Sequence, residues 1–164
     1  MKILSKGSTI VIITFALVLS CSDDFLDVKP KGALSVTQVS DQKGLEALLV
    51  AAYSMLDQVG EAIPATGTDA FVTGASNWVY GGITGGDAHK GTDEGDQPNI
   101  NPIERYEASS VNNYFNIKWG VVYEGVNRCN SVLKVIAQAK GVAAEELTRI
   151  AAEARTLRGY YHFE

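Results

Sequence analysis

The sequence predicts an all-α fold interrupted by one long irregular insertion, and three observations lead there. Two amphipathic helical patterns follow one another across residues 112–164 with only a short turn between them. A third pattern of the same period occupies residues 40–59. Between them, residues 60–109 show no apolar alternation long enough for a strand.

The extreme N-terminus stands apart from the fold. Lys2 and Lys6 precede an apolar run over residues 10–19, broken only by Thr14, and Ser20-Cys21 comes next. A basic start, a short apolar run and a small residue before the cleavage point make residues 1–20 a secretory signal peptide. The run is shorter than the about 20 residues a spanning helix needs. Val18-Leu19-Ser20-Cys21 resembles a bacterial lipobox, whose cysteine is acylated and becomes the first mature residue. Acylation of Cys21 anchors the chain to a membrane, each buried methylene contributing about 0.8 kcal/mol. It also leaves Cys129 without a disulfide partner, the chain having 2 cysteines.

The signal segment holds two of the 14 basic residues and none of the 19 acidic ones, so residues 21–164 carry 12 against 19, a balance of −7. That excludes nucleic acid as a partner, because neutralising phosphates takes clustered Lys and Arg. It also leaves no polybasic patch for anionic lipid. Residues 21–39, polar and punctuated by Pro30 and Gly32, read as a lipidated tether.

Residues 40–164 form the folded part. Ser40 is the expected N-cap of a first helix, in which Leu45, Leu48, Leu49, Ala52, Tyr53 and Leu56 repeat at helical spacing and Gly60 is the stop. The insertion is rich in Gly, Thr, Asp and Asn. Its aromatics Phe71, Trp78 and Tyr80 argue for a packed irregular region with a short helix or turn near residues 77–83. In the next helix Phe115, Trp119, Val122, Val126, Leu133 and Ile136 recur as one stripe, which puts Trp119 in the core, worth about 2–3 kcal/mol. Gly141 closes that helix. Glu145 and Glu146 open the last, where the dipole favours anions, and Leu147, Ile150, Ala151, Ala154, Leu157 and Tyr161 form its stripe. A short connection makes these two helices antiparallel neighbours. Leu157 and Tyr161 carry the stripe almost to Glu164, so the sequence reads as the truncated N-terminal part of a longer domain, incomplete at its C-terminus.

Few residues offer chemistry. Gly86-x4-Gly91 is followed by Thr92 with the lysine one place early at Lys90, so no phosphate loop is formed. Asp87, Asp93 and Asp96 lack the alternating order and terminal glutamate of a calcium loop. His89, His162 and Cys129 are too few and too scattered for zinc. Cys129, inside a helical pattern, reads as a buried thiol rather than a nucleophile. No cofactor, metal or catalytic residue is predicted. Trp78 and Tyr80, in the insertion, are placed to stack on a flat ligand face or to pack beneath the loop. With Asn77 and Asp87 beside them they are the candidate ligand-binding residues.

Four segments carry a family resemblance: Cys21-Ser-Asp-Asp-Phe-Leu-Asp-Val-Lys-Pro; Ala51-Ala-Tyr-Ser-Met-Leu; Trp119-x3-Tyr123-x-Gly-Val-x-Arg-Cys-Asn130-x-Val-Leu; and Ala152-Glu-Ala-Arg-x-Leu-Arg-Gly-Tyr-Tyr-His-Phe-Glu164. Gly86-Asp-Ala-His-Lys-Gly91 and Asp96-Gln97-Pro98 add to them. In this order they resemble the SusD/RagB family of outer-membrane nutrient-uptake lipoproteins of Bacteroidota. The resemblance implies a SusD-like fold of tetratricopeptide-like helical hairpins and a binding protein rather than an enzyme. It further implies a surface-exposed lipoprotein of the outer membrane that captures oligosaccharide or peptide and delivers it to a TonB-dependent SusC-like transporter. A fragment of a surface glycoside hydrolase and a structural surface lipoprotein without ligand are the alternatives.

Overall fold

The structure is a computed structural model and describes residues 35–57 and 71–164. The signal segment, Cys21 and most of the tether therefore lie outside the described residues, as do Val59 and Gly60. The described part contains helices and no strand.

Helix α1 (Gln42–Tyr53) is capped by Asp41 rather than Ser40, the Asp41 carboxylate accepting from Gly44 N at 2.8 Å. Ser40 is buried instead, its hydroxyl donating to Thr37 O at 3.1 Å. Leu45, Leu49 and Ala52 are buried as the period requires, and a single 3₁₀ turn, Ser54–Leu56, continues α1. Arg128 closes that end: its Nη1 donates to Ala51 O at 3.0 Å and to Ser54 Oγ at 3.1 Å, while Nε pairs with Glu124 at 2.8 Å.

The insertion is packed, as its aromatics predict. It holds a π-helix, Trp78–Ile83, a 3₁₀ turn, Pro98–Ile100, and the short helix α2 (Asn101–Glu104). Val72, Val79, Ile83, Ile100 and Ile103 are all buried in the same core as the long helices.

Helix α3 (Asn113–Ile136), capped by Asn112, and helix α4 (Ala144–Phe163) form the predicted hairpin. Gly141 takes φ +69° in the connection, a conformation that costs glycine little. The contacts Lys118–Glu164, Gly125–Tyr161 and Arg158–Asn130 run in opposite chain directions, so the helices are antiparallel. Ile150, Ala151, Ala154, Leu157 and Tyr161 are buried, so the α4 stripe is as read. Tyr161 joins three helices. Its ring lies where a Cβ on Gly125 would come within 2.7 Å, and its hydroxyl donates to Ala52 O at 2.6 Å. Cys129 is fully buried beside it, and loss of hydration pushes the thiol up to about 11.

The α3 stripe needs correcting in its first half. Val122 and Val126 are buried, but Trp119 is 64% exposed and Phe115 38% exposed. The core instead receives Tyr114, Ile117, Val121, Gly125, Cys129 and Val132, with Lys118 at 6% exposure among them. Two overlapping helical rows compete at this end of α3. The row containing glycine wins because Gly125 lets Tyr161 approach the backbone, which a larger residue there would prevent.

Candidate functional site

The insertion has little regular hydrogen bonding, so its buried carbonyls need other donors. Two lysines supply them. Lys118 Nζ donates to Thr73 O at 3.1 Å and to Gly74 O and Ser76 O at 3.0 Å each. It also pairs with Glu164 Oε2 at 2.9 Å and lies 5.3 Å from the centre of the Tyr80 ring. Lys90, also buried, donates to Asp93 O at 2.6 Å and to Asp96 O. Asp93 Oδ1 in turn accepts from Gly95 N at 2.8 Å and Asp96 N at 3.0 Å. The aspartate-rich loop is thus wound around an ammonium group. Among the described residues no group of three His, Cys, Asp or Glu is placed to hold a metal.

This clasped loop forms one wall of a recess of about 140 Å³, and Trp78 and Phe71 form the other. Trp78 is 39% exposed and is backed by Phe71, their ring centres 5.2 Å apart and tilted by 45°. Facing them are Thr92, Asp96 and Gln97. The Tyr114 hydroxyl donates to Gln97 Oε1 at 2.6 Å, which leaves the amide nitrogen of Gln97 to donate elsewhere. Burial, with the Asp96 carboxylate nearby, pushes the Tyr114 hydroxyl up to about 12. It therefore stays a donor at neutral pH. An aromatic residue sharing a recess with a threonine, an aspartate and a glutamine whose amide is oriented can take a flat, hydroxylated ring by stacking and hydrogen bonding.

The four candidate residues are not brought together. Tyr80 follows Trp78 on the π-helix but points elsewhere, donating its hydroxyl to Tyr114 O at 2.7 Å, and burial pushes its pKa up. It lines a cavity of about 390 Å³ with Phe115, Trp119, Tyr123 and the end of α4, and a second of about 380 Å³ with Tyr106. The Asn77 side chain lies against Gly81, and the backbone carbonyl of Asn77 accepts from Gly81 N and Gly82 N at 2.9 Å each, so this residue shapes the π-turn. Asp87 is exposed on the turn after it. Neither lines any of these three recesses.

Gln97, Thr92 and Lys90 were not among the candidate site residues of the sequence. One signal was available: Lys90 lies within six residues of all three aspartates, close enough for a loop to wrap a lysine rather than a metal. Lys118 carried no signal, since one lysine beside a tryptophan in a helix reads as solvated.

A family model described as SusD-like, starch-binding associating with outer membrane, matches residues 24–164. No curated protein and no solved structure matches the chain.

Proposed function

We propose, on the premise that this chain belongs to the SusD-like family of starch-binding proteins associating with the outer membrane, that Trp78 is the platform on which it captures an oligosaccharide. Nutrient binding at the outer membrane is the family's property, and its members are binding proteins rather than enzymes. The observation that carries the reading is the half-exposed Trp78 ring, held by Phe71 opposite Thr92, Asp96 and Gln97. The apolar face of a pyranose stacks on the indole, its hydroxyls donate to Asp96, and the Gln97 amide donates back. Among the described residues the Asp96 carboxylate accepts no other hydrogen bond.

Acylated Cys21 would hold the chain at the outer membrane, surface-exposed, beside a TonB-dependent SusC-like transporter that receives the sugar. Asn77 shapes the π-turn that carries Trp78, while Tyr80 and Asp87 lie outside its recess and would be met only by a longer ligand or a peptide.

Titration calorimetry with a maltooligosaccharide tests the platform. Trp78→Ala should weaken binding by roughly tenfold, the scale of one lost aromatic stack, with unchanged melting. Equal affinity in the variant removes Trp78 from the site. Product release from the oligosaccharide would favour the hydrolase. Cys21→Ala should abolish labelling by fatty acid, and a β-barrel transporter should co-purify with the native chain.

A further inference from the structure

Gln97, on one wall of the recess at Trp78, has an unusual backbone. It sits at φ 46°, ψ 55°, in the left-handed region, and Pro98 follows it. A side chain is disfavoured there, and the ring of a following proline pushes the residue before it toward extended conformations. Such a residue persists only where its surroundings hold it. Here both flanks are held. On one side Lys90 donates to Asp96 O. On the other, the start of α3 grips the turn that follows: Asn112 Nδ2 donates to Asn99 O, and Asn99 Nδ2 donates to Asn113 Oδ1, at 2.8 Å each. Between these ties the Tyr114 hydroxyl donates to Gln97 Oε1 at 2.6 Å.

Tyr114 is itself fixed. It is fully buried, its N–H donates to Asn112 Oδ1 at 3.0 Å, and its carbonyl accepts from the Tyr80 hydroxyl at 2.7 Å. It does not line the recess, so it reaches a ligand there only through Gln97.

The consequence is chemical. A glutamine amide that is free to turn over presents either an oxygen that accepts or a nitrogen that donates. With the oxygen taken by Tyr114, the nitrogen is left for the recess, beside an Asp96 carboxylate that only accepts. A sugar hydroxyl can donate or accept, so it is indifferent to which way the amide faces. A ring or glycosidic oxygen carries no hydrogen and can meet only the nitrogen. A locked amide therefore suits an oxygen of that second kind.

We infer that Tyr114 is the positioning residue of the sugar site: its hydroxyl fixes the Gln97 amide as the donor to a ring or glycosidic oxygen, while a neighbouring hydroxyl of the same sugar donates to Asp96. This rests on the reading of Trp78 as a sugar platform. It adds that recognition is set from the first turn of α3, outside the recess.

The test is titration calorimetry of the full chain, kept in detergent, with a maltooligosaccharide. Tyr114→Phe removes the hydroxyl and keeps the buried ring, and it should weaken binding by roughly tenfold, the scale of one hydrogen bond. Gln97→Leu should weaken it by a similar factor. Adding Tyr114→Phe to Gln97→Leu should cost nothing more, because the hydroxyl acts through the amide. A further loss in that double variant would make Tyr114 a support of the fold alone and overturn the inference. Gln97→Glu gives a pH profile that a purely structural role would not move. Its carboxylate still accepts from Tyr114 but cannot donate to the sugar, so binding at pH 8 should be roughly tenfold weaker. The like charge of Asp96 makes this carboxylate hold a proton to higher pH. As pH falls toward 5 it becomes a donor and affinity should recover, with no such rise in the native chain. Equal or tighter binding by Gln97→Glu at pH 8 would mean that the sugar donates at residue 97, which also overturns the inference. Trp78→Ala separates the two readings. Weak binding there, with native binding in Tyr114→Phe and Gln97→Glu, keeps the platform and removes the lock; native binding in Trp78→Ala removes both.

Discussion

The hairpin and the insertion are held in different ways. Between α3 and α4, apolar side chains meet directly: Ile150, Ala154, Leu157 and Tyr161 bury against Val121, Gly125 and Cys129, and the backbone satisfies itself within each helix. Residues 71–109 also bury apolar side chains, but their backbone pairs with itself only in short turns, and cations add donors to several of its carbonyls. Lys118 takes the carbonyls of Thr73, Gly74 and Ser76, and Lys90 takes those of Asp93 and Asp96. Irregular chain at this depth is stable only when donors are brought to it. The same clasped segments then shape the recess at Trp78. In this molecule the site is built where the fold is most dependent on buried charge.

That difference predicts the largest effect at a lysine rather than at an apolar residue. Lys118→Met removes the donor for three carbonyls and leaves the Glu164 carboxylate, at 10% exposure, without its partner. Breaking a buried pair in this way costs about 3–5 kcal/mol. Chemical denaturation should show that loss, with sugar affinity falling alongside it as residues 73–76 shift beneath Trp78. Adding Glu164→Gln should restore only part, because Gly74 O and Ser76 O still lack the ammonium donor, while Thr73 O keeps its bond from Ser76 N. Full recovery in the double variant would mean that the ion pair alone matters.

The hairpin is tested at Gly125. A methyl there would lie 2.7 Å from the Tyr161 ring, and Tyr161 cannot retreat without losing its bond to Ala52 O. Gly125→Ala should therefore destabilise by about 1–3 kcal/mol, despite the better helix propensity of alanine. Sugar affinity at Trp78 should be unchanged. A stabilised variant would show that α3 and α4 have room to part.

Much of this architecture was legible in the sequence, for a physical reason. Apolar burial leaves a period, so the α4 stripe, Leu45 and Leu49 of α1, and the hairpin itself could be read directly. A short helix or turn near residues 77–83 was expected, its π form was not, and the packed character of the insertion followed from its aromatics. What was not legible is where side chains serve backbone, because a lysine clasping carbonyls looks the same in sequence as one in water. That is why Lys118 and Lys90 were missed. Trp119 was misplaced for a related reason: an exposed aromatic ridge and a buried stripe have the same spacing, and only the contact of Gly125 with Tyr161 decides which of them faces inward. The site was half read. Trp78 is on a recess, while Tyr80, chosen with it, turns its hydroxyl into the fold.

A smaller effect is expected at Lys90. It holds two carbonyls and has no carboxylate partner among the described residues, so replacing it also removes the cost of burying a charge. Lys90→Met should lower stability by only about 1 kcal/mol. The loop carrying Asp96 and Gln97 should loosen all the same, and maltooligosaccharide affinity should fall further than stability does. Hydrogen exchange at residues 91–97 would report the loosening directly. A protected loop with native affinity would show that Asp93, through its own bonds to Gly95 and Asp96, holds the turn alone.

The smallest effect on stability belongs to the largest side chain. Trp119, as a core residue, would cost about 3–5 kcal/mol on truncation. At 64% exposure, touching Tyr123 on its own helix, it should cost no more than about 0.5 kcal/mol. Denaturation of Trp119→Ala beside Lys118→Met makes a comparison of adjacent residues that differ by about 100° around α3. The lysine variant should melt far below the native chain and the tryptophan variant beside it. If the order is reversed, α3 is rotated from the position described, and the ridge of Phe115, Trp119 and Tyr123 faces the core. If the order holds, the indole lies outside the core and contributes little to its stability.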